Sequence, residues 1–249
     1  MGKVKLSEIS TRAPEGMDKQ ATKDTTQRLL SELNELQNLL YAESKHSVLV
    51  VLQGMDASGK DGVVRNVFGG TMNPQGVSVH SFKVPTEEEL AHDFLWRIHR
   101  FVPSKGMIEV FNRSHYEDIL VTRVHKWCDD KLARQRMKAI NDFEQLVQEH
   151  NNTAILKFYL HISPKEQQER LKERIKDRSK QWKYNEKDFV EAALWDEYME
   201  MYEDCFDHCS DVPWTIVPAD QNWYKEYIIA KKLHETLTGF DMQYPGIKK

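Results

Sequence analysis

A glycine-rich loop directly after an apolar run constrains the fold of this chain more than any other feature. Residues 48–52 indicate a buried strand, residues 54–60 form the loop, and residues 62–68 can begin a helix. In such a strand–loop–helix unit, backbone N–H groups and the positive end of the helix bind phosphate oxygens, while Lys60 reaches the transferred phosphoryl group. Phosphate contacts are therefore predicted for Gly54, Ala57, Ser58, Gly59 and Lys60. A glycine-rich turn without a ligand is the alternative interpretation.

The residue after Lys60 departs from the usual pattern of these loops. Loops that bind ATP or GTP place Ser or Thr there, and its hydroxyl binds Mg²⁺. This chain has Asp61 instead. We therefore expect the metal to be held differently, by Asp56 within the loop, and we place Asp61 among the residues that border the phosphates.

Strand-like and helix-like segments alternate along the 249 residues, of which 40% are hydrophobic. Further strands are predicted at residues 77–82, 107–111, 154–160 and 214–217. An amphipathic helix is predicted at residues 25–41, after a polar arm (residues 1–24) that we expect to be extended or loosely packed. Thr86 resembles the N-cap of another helix, which would run to His99.

Helices between these strands would make crossover connections. They predict one α/β domain over residues 1–249, in which helices cover both faces of a central, mainly parallel five-stranded sheet. In such a sheet the catalytic groups gather at the carboxyl ends of the strands. Polar clusters do follow three of the predicted strands, at residues 54–60, 112–118 and 161–163.

Composition narrows the location and the partners. No apolar run approaches the ~20 residues that cross a membrane, and no signal-peptide core follows the N-terminus, so we expect a cytoplasmic protein without a membrane partner. The net charge of −4 gives no overall attraction for nucleic acid, and binding of any polyanion must rely on local basic clusters. The odd number of cysteines, Cys128, Cys205 and Cys209, predicts reduced thiols.

Polar residues follow the third predicted strand. A carboxylate often ends this strand in phosphate-loop enzymes and assists the metal, but this chain has Asn112. Glu117 and Asp118 are the best replacements, and Arg113 can bind a phosphate through two parallel hydrogen bonds. The two acids could instead begin a helix and complement its dipole.

A basic segment lies before the last predicted strand. Arg170, Arg174 and Arg178 recur every four residues, so on a helix they would share one face. The insert at about residues 164–190 occupies the position of a lid in phosphate-loop kinases, where arginines neutralise transition-state charge and exclude water. A solvated helix whose arginines pair with neighbouring acids is the alternative. Further basic candidates for phosphate contacts are Arg65, Lys83, Arg97 and Arg123.

Several motifs together make the chain similar to the polyphosphate kinase 2 family. They are residues 54–62, 81–90, 94–97, 111–118 and 195–198, and the resemblance covers nearly the whole length. It implies a three-layer P-loop kinase fold with a helical lid, like that of thymidylate kinases. It also implies Mg²⁺- or Mn²⁺-dependent transfer of phosphoryl groups from inorganic polyphosphate to AMP and ADP, with guanine nucleotides as further acceptors. A homo-oligomer, dimer or tetramer, is typical of the family.

The resemblance also implies roles for individual residues. Glu117, within His-Tyr-Glu-Asp, resembles the marker of class III, whose members phosphorylate both AMP and ADP. Lys60 would contact the transferred group, Asp56 and Asp118 would hold the metal, and Arg113 and Arg178 would stabilise transition-state charge. Nucleotide contacts are implied for Asn112, Arg113, Glu117, Asp118 and Arg178. The polyphosphate track would comprise Arg65, Lys83, Arg97, Arg123, Arg170 and Arg174.

Two other functions remain open from the sequence. The first is an ATP-dependent nucleotide kinase of the thymidylate-kinase type, although Asp61 and Asn112 alter both usual metal positions. The second is a non-catalytic protein that binds polyphosphate through the same loop.

Overall fold

A computed structural model describes residues 3–70 and 72–247. Within these residues the centre of the fold is a five-stranded sheet in the order β2-β3-β1-β4-β5, and every pairing in it is parallel. The strands are β1 (Ser47–Gln53), β2 (Val77–Ser81), β3 (Ile108–Asn112), β4 (Thr153–His161) and β5 (Trp214–Pro218). The predicted α/β class and the parallel sheet are confirmed.

Helices connect these strands. In the described part of the chain they are α1 (Lys19–Glu43), α2 (Lys60–Val63), α3 (Glu87–Leu90), α4 (Trp96–His99), α5 (Val121–Val124), α6 (Asp130–Asn151), α7 (Pro164–Lys176), α8 (Lys187–Ala193), α9 (Trp195–His208) and α10 (Asn222–Thr238). A π-helical turn (Val64–Phe68) extends α2, and short 3₁₀ turns occur at Leu6–Glu8, His115–Asp118 and Gln181–Lys183. None of the helices described has both the length and the apolar character that a membrane span needs.

The core lies on both faces of the sheet. All residues of the central strand β1 are buried, which requires cover above and below it. The long helices α1 and α10 pack against each other. Leu33 and Leu40 of α1 and Leu233 of α10 are fully buried in this core.

The strand order places the candidate site. From β1 the chain moves to one side of the sheet to form β2 and β3, and later to the other side to form β4 and β5. The switch lies beside β1, and ligands bind at such a point, outside the carboxyl ends of the strands. The loop after β1 and the polar residues after β3 and β4 therefore meet at one edge of the sheet.

The N-terminal arm differs from the prediction of a loosely packed segment. Residues 19–24 already belong to α1, because Asp18 caps this helix by accepting a hydrogen bond from the Ala21 N–H at 2.6 Å. The preceding residues lie against the body of the protein: Leu6 is buried, and its N–H donates to Glu203 at 2.7 Å. Residues 1 and 2 of the expected arm lie outside the described residues.

The prediction of one continuous helix from Thr86 to His99 is also wrong. Thr86 and Glu89 do form the expected capping box, but α3 ends at Leu90 and α4 begins only at Trp96. Asp93 separates the two, since its side chain accepts a hydrogen bond from the Leu95 N–H at 2.9 Å and starts a new turn.

A buried carboxyl group on β3 makes stability depend on pH. Glu109 is 6% exposed, one of its oxygens has no hydrogen-bond partner, and burial raises its pKa from 4.5 to about 7. The folded state therefore holds the proton more tightly than the unfolded state. The stability from this group is present below pH 4.5 and is lost as the pH rises towards 7.

We predict that Glu109→Gln stabilises the protein at pH 8 and leaves its stability nearly unchanged at pH 5. The gain at pH 8 should be about 1–2 kcal/mol, or roughly 3–6 °C in Tm at this chain length. Thermal melts at the two pH values measure it, with the exposed Glu200→Gln as the control. An equal Tm shift at both pH values would contradict the prediction.

Candidate active site

The loop between β1 and α2 has the backbone shape of an anion-binding turn. Gly54 and Gly59 adopt φ values of +146° and +100°, and Ala57 also lies in the left-handed region at +63°. A Cβ atom on Gly54 would lie 2.9 Å from the carbonyl oxygen of Leu160. Glycine is therefore required at this position by both conformation and space.

The loop lysine is held by its own loop. Lys60 is 8% exposed, and its ammonium group donates to the carbonyl oxygens of Gly54 at 2.6 Å and Met55 at 3.2 Å. Burial, followed by the charge of Arg113, lowers the pKa of Lys60. A phosphate group would supply the negative charge that this lysine lacks, so the site favours an anion.

Arg113 links the loop to the residues that follow β3. Its guanidinium group donates to Asp56 at 2.7 Å and lies 3.9 Å from the Glu117 carboxylate. Its backbone has a φ of +61°, a strained conformation of the kind found at functional sites. Burial raises the pKa of Glu117, although the charges of Arg113 and Lys60 oppose this shift.

These groups line one cleft. Its walls comprise Gly54, Met55, Asp56, Arg113, Glu117, Val121, Gln167, Glu191, Tyr198 and Tyr202. The cleft thus brings together four predicted residues, Gly54, Asp56, Arg113 and Glu117. Its far wall is aromatic and acidic, since the Tyr198 hydroxyl donates to Glu191 at 2.6 Å. Such a surface suits the apolar and hydrogen-bonding parts of an organic acceptor.

A buried ionic network fixes the turn that carries Glu117. Lys157 and Glu144 are fully buried and form a salt bridge of 2.7 Å. The Tyr116 hydroxyl accepts from Lys157 and donates to Glu144, both at 2.7 Å. Burial, together with the charge of Glu144, raises the pKa of Tyr116 well above its usual range, so this hydroxyl stays protonated. The 3₁₀ turn His115–Asp118 is thereby anchored to β4 and α6.

A buried arginine binds the carboxylate of Asp118. Its side chain accepts a hydrogen bond from Arg97 at 3.3 Å, and the described walls of the cleft include Glu117 but not Asp118. Arg97 is 5% exposed and also donates to the carbonyl oxygen of Lys83. Arg97 thus joins two loops, while the metal pair of Asp56 and Asp118 and the phosphate contact of Arg97 stay predictions.

The two unusual residues of the motifs contact each other. Asp61 accepts hydrogen bonds from Asn112 at 3.0 Å and from Lys183 at 2.6 Å. Burial would raise the pKa of Asp61, but these hydrogen bonds outweigh it and lower the pKa. Asp61 thus connects the phosphate loop with the end of β3 and with the lid segment that contains Lys183.

The arginines of the lid segment do not share one helix face as predicted. Helix α7 ends at Lys176, and Asp177 is extended, because its side chain accepts hydrogen bonds from the backbone and hydroxyl of Ser179. Arg178 therefore lies beyond the helix and is exposed. Arg174 pairs with Asp188 of α8.

Arg170 is oriented away from the expected phosphate position. Its guanidinium group donates to the carbonyl oxygens of Ala57 and Ser58, both at 3.1 Å, and to Glu166 at 2.9 Å. Its remaining donors bond to the carbonyl oxygens of Ala219 and Asp220. With all its donors engaged by the protein, Arg170 supports the loop from outside, and its predicted phosphate contact stays a prediction.

The other basic candidates divide into two groups. Arg123 forms salt bridges of 2.7 Å with Asp130 and Asp204, which link helices, and its phosphate contact stays a prediction. Arg65 and Lys83 are exposed, and no carboxylate of the described residues forms a salt bridge with them or with Arg178. These three cations stay candidates for an anionic ligand.

A family model for polyphosphate kinase 2 matches residues 16–245. The chain belongs to the polyphosphate kinase 2 family. It is 49% identical over 237 residues to the AMP/ADP-polyphosphate phosphotransferase of Meiothermus ruber, a match that covers 94% of this chain and 88% of that protein. It is 43% identical over 230 residues to the ADP-polyphosphate phosphotransferase of Rhodopseudomonas palustris, covering 87% of this chain and 79% of that one.

A solved member of the polyphosphate kinase 2 family has the same fold. The crystal structure of polyphosphate kinase 2 from Arthrobacter aurescens TC1 matches with a TM-score of 0.95 at 40% identity, over 100% of this chain and 90% of that one. The predicted family and the P-loop kinase fold are confirmed.

Several residues of this family site were not predicted from the sequence. Tyr198 belongs to the motif at residues 195–198, but the motif alone did not indicate that this tyrosine lines the cleft. Gln167, Glu191 and Tyr202 carry no local pattern that distinguishes them from helix surface residues. Lys183 lies in the basic segment but was not predicted as a site residue, because only the fold brings it to Asp61.

We predict that the contact between Asp61 and Lys183 orders the lid segment. Asp61 is 59% exposed and Lys183 is 29% exposed, so removing the ion pair should change global stability by less than about 1 kcal/mol. Lys183→Met should nevertheless speed amide hydrogen exchange around residues 177–187. Asp61→Asn should do the same, and the double variant should add little, because both remove one contact.

The matched control is Lys180→Met, which removes ion pairs made only within the lid segment, to Glu173 and Asp177. Additive effects of Asp61→Asn and Lys183→Met on exchange would show that the two residues act independently.

Proposed function

We propose that this chain is a polyphosphate-dependent nucleotide kinase that transfers phosphoryl groups from inorganic polyphosphate to AMP and to ADP. One observation carries the proposal: Asp56, Arg113 and Glu117 line a single cleft at the switch point of the sheet, and Lys60 bonds to the carbonyl groups of Gly54 and Met55 in its wall. The name of the Meiothermus ruber relative, which includes both AMP and ADP, supports the choice of acceptors.

The transfer needs positioning and charge more than covalent chemistry. An oxygen of the acceptor's terminal phosphate attacks the terminal phosphorus of the chain, the P–O bond to the next phosphate breaks, and the shortened chain leaves with the bonding electrons. Lys60 would turn from its loop carbonyls to the transferred group, and Arg113 would offer its guanidinium to the equatorial oxygens. No protein nucleophile is required for this in-line reaction.

Mg²⁺ fits the donors of the loop. Among the described residues no group of three or more His, Cys, Asp or Glu side chains forms a complete metal site. Mg²⁺, however, usually takes one or two protein carboxylates together with substrate phosphates and water. Burial raises the pKa of Glu117 and of Asp188, and the negative charge of Asp56 raises both further. Asp56 therefore lies near other acidic groups, an environment that favours a cation.

We therefore propose that Asp56 would hold Mg²⁺ together with the substrate phosphates, and that Mn²⁺ can replace it. The metal would neutralise charge on the phosphate oxygens. Asp118 stays the proposed second ligand, since Arg97 engages only one of its oxygens, just as Arg113 engages one oxygen of Asp56.

Glu117 borders the acceptor side of the cleft. It lies between Arg113 and the wall formed by Tyr198 and Tyr202, and the Lys157 network fixes the position of its turn. We assign the acceptor nucleotide to this wall, with its phosphate directed to Arg113. Arg178, exposed and unpaired with any described carboxylate, would reach the phosphates when the lid closes; guanine nucleotides are proposed as further acceptors.

The assembly and the location are also proposals. Exposed apolar side chains such as Val84 (88%), Leu90 (69%) and Trp127 (72%) support self-association as a dimer or tetramer. The thiols of Cys128, Cys205 and Cys209 form no disulfide, which supports a location in the reducing cytoplasm. Light scattering of the purified protein measures the assembly.

We predict that the protein forms ADP from AMP and polyphosphate without any ATP, and then ATP from the ADP. Time-resolved chromatography of the nucleotides measures both steps. An ATP-dependent kinase would form no ADP under these conditions, and polyphosphate would have no effect on its rate. Absence of ADP from AMP and polyphosphate would contradict the proposal.

Lys60→Ala separates the enzyme from a non-catalytic polyphosphate-binding protein. The variant lacks the positive charge that would contact the transferred phosphoryl group, so the rate of transfer should fall by about 10³-fold. The exposed Lys232→Ala on α10 serves as the control and should keep the wild-type rate.

A further inference from the structure

Cations from two helices contact the outer side of the phosphate loop. Arg170 of α7 donates to the carbonyl oxygens of Ala57 and Ser58, both at 3.1 Å. Lys225 of α10 donates to those of Ser58 and Gly59, both at 3.4 Å. Three consecutive carbonyl groups of the loop are thus bound by side chains that come from elsewhere in the chain.

These contacts determine the direction of the neighbouring N–H groups. In a trans peptide, the carbonyl group of one residue and the N–H of the next point to opposite sides, and the described residues contain no cis peptide. The Gly59 carbonyl also accepts the Val63 N–H of α2 at 3.1 Å. With the carbonyl groups of Ser58 and Gly59 held in this way, the N–H groups of Gly59 and Lys60 are directed to the opposite side of the loop. Phosphate oxygens bind to N–H groups of this kind.

Lys225 is an unusual residue for the interior of a protein. It is 1% exposed, yet no described carboxylate lies within salt-bridge distance of it. The other fully buried lysine, Lys157, forms a salt bridge with Glu144. An unpaired buried ammonium group is unfavourable in itself, so a binding role explains why it is present. Its short-range partners are the two loop carbonyls and the Asn222 side chain at 2.9 Å.

The loop and Lys225 fit closely. A Cβ atom on Gly59 would lie 2.2 Å from the Lys225 ammonium nitrogen. Glycine is therefore required at position 59, both by the positive φ and by the close approach of this lysine. The second guanidinium nitrogen of Arg170 bonds to Ala219 and Asp220, which ties the loop to the end of β5.

We propose that Lys225 and Arg170 are positioning residues that hold the carbonyl groups of residues 57–59 on the outer side, so that the loop N–H groups stay directed at a bound phosphate chain. This inference rests on the proposed function, since it takes the loop as the polyphosphate site. Neither residue touches the phosphate; both act through the backbone.

The charges around Lys225 connect phosphate binding with proton uptake. Burial lowers its pKa to about 7, and the charges of Arg170 and Lys60 act in the same direction, against Glu166 and Glu226. Lys225 should therefore lose its proton at a lower pH than an exposed lysine does. A phosphate chain on the other side of the loop favours the charged form, so its binding should raise the pKa of Lys225 and take up a proton.

The test measures binding of sodium tripolyphosphate by titration calorimetry at pH 8, in two buffers of different ionisation enthalpy. We expect Lys225→Met to weaken tripolyphosphate binding by about tenfold, on the scale of lost charge-assisted hydrogen bonds, and to reduce the proton uptake seen in the wild type. Binding of AMP alone should change by less than about twofold. Lys232→Met, an exposed substitution on the same helix, is the control.

A folded Lys225→Met variant with wild-type tripolyphosphate affinity and proton uptake would overturn the inference and leave the proposed function intact. Absence of tripolyphosphate binding to the wild type would contradict both. A second variant avoids dependence on the folding of Lys225→Met. Arg170→Lys should weaken tripolyphosphate binding by losing carbonyl contacts, and wild-type tripolyphosphate affinity in this variant would also overturn the inference.

Discussion

The site depends on how the phosphate loop separates its carbonyl groups from its N–H groups. A loop that binds an anion must direct N–H groups to one side, and its carbonyl groups then need donors on the other. In this protein Arg170 and Lys225 supply those donors from α7 and α10. The parallel sheet makes this possible, because β1, β4 and β5 end together and bring both helices to the loop.

The same constraint explains the balance of charge in the site. Lys60 and Arg113 lie close together, and each is compensated within the protein: Lys60 by carbonyl groups of its loop, Arg113 by Asp56. A bound phosphate chain would replace these internal partners. Burial and neighbouring cations lower the pKa of Lys60 and Lys225, so an anionic substrate relieves an unfavourable arrangement that the fold maintains.

Much of the fold followed from local patterns. The limits of all five strands were predicted within one residue at either end, because short apolar runs bounded by polar residues leave little choice of register. The motif correctly predicted the strand before the loop and the helix after it, and the unusual residues Asp61 and Asn112 form a hydrogen bond with each other. Contacts between distant segments were not accessible in this way. No spacing shows that Asp177 ends α7 before Arg178, that Arg97 engages Asp118, or that Lys225 lies behind Gly59.

A phosphate chain should bind on the N–H side of the loop while the cations behind it stay in place. A crystal structure of the protein with tripolyphosphate and Mg²⁺ would show this arrangement. We expect the Lys60 ammonium to leave the Gly54 carbonyl for a phosphate oxygen, while Arg170 and Lys225 keep their bonds to the carbonyl groups of Ala57, Ser58 and Gly59. A phosphate chain bound away from the loop, with Lys60 still bonded to Gly54, would contradict it.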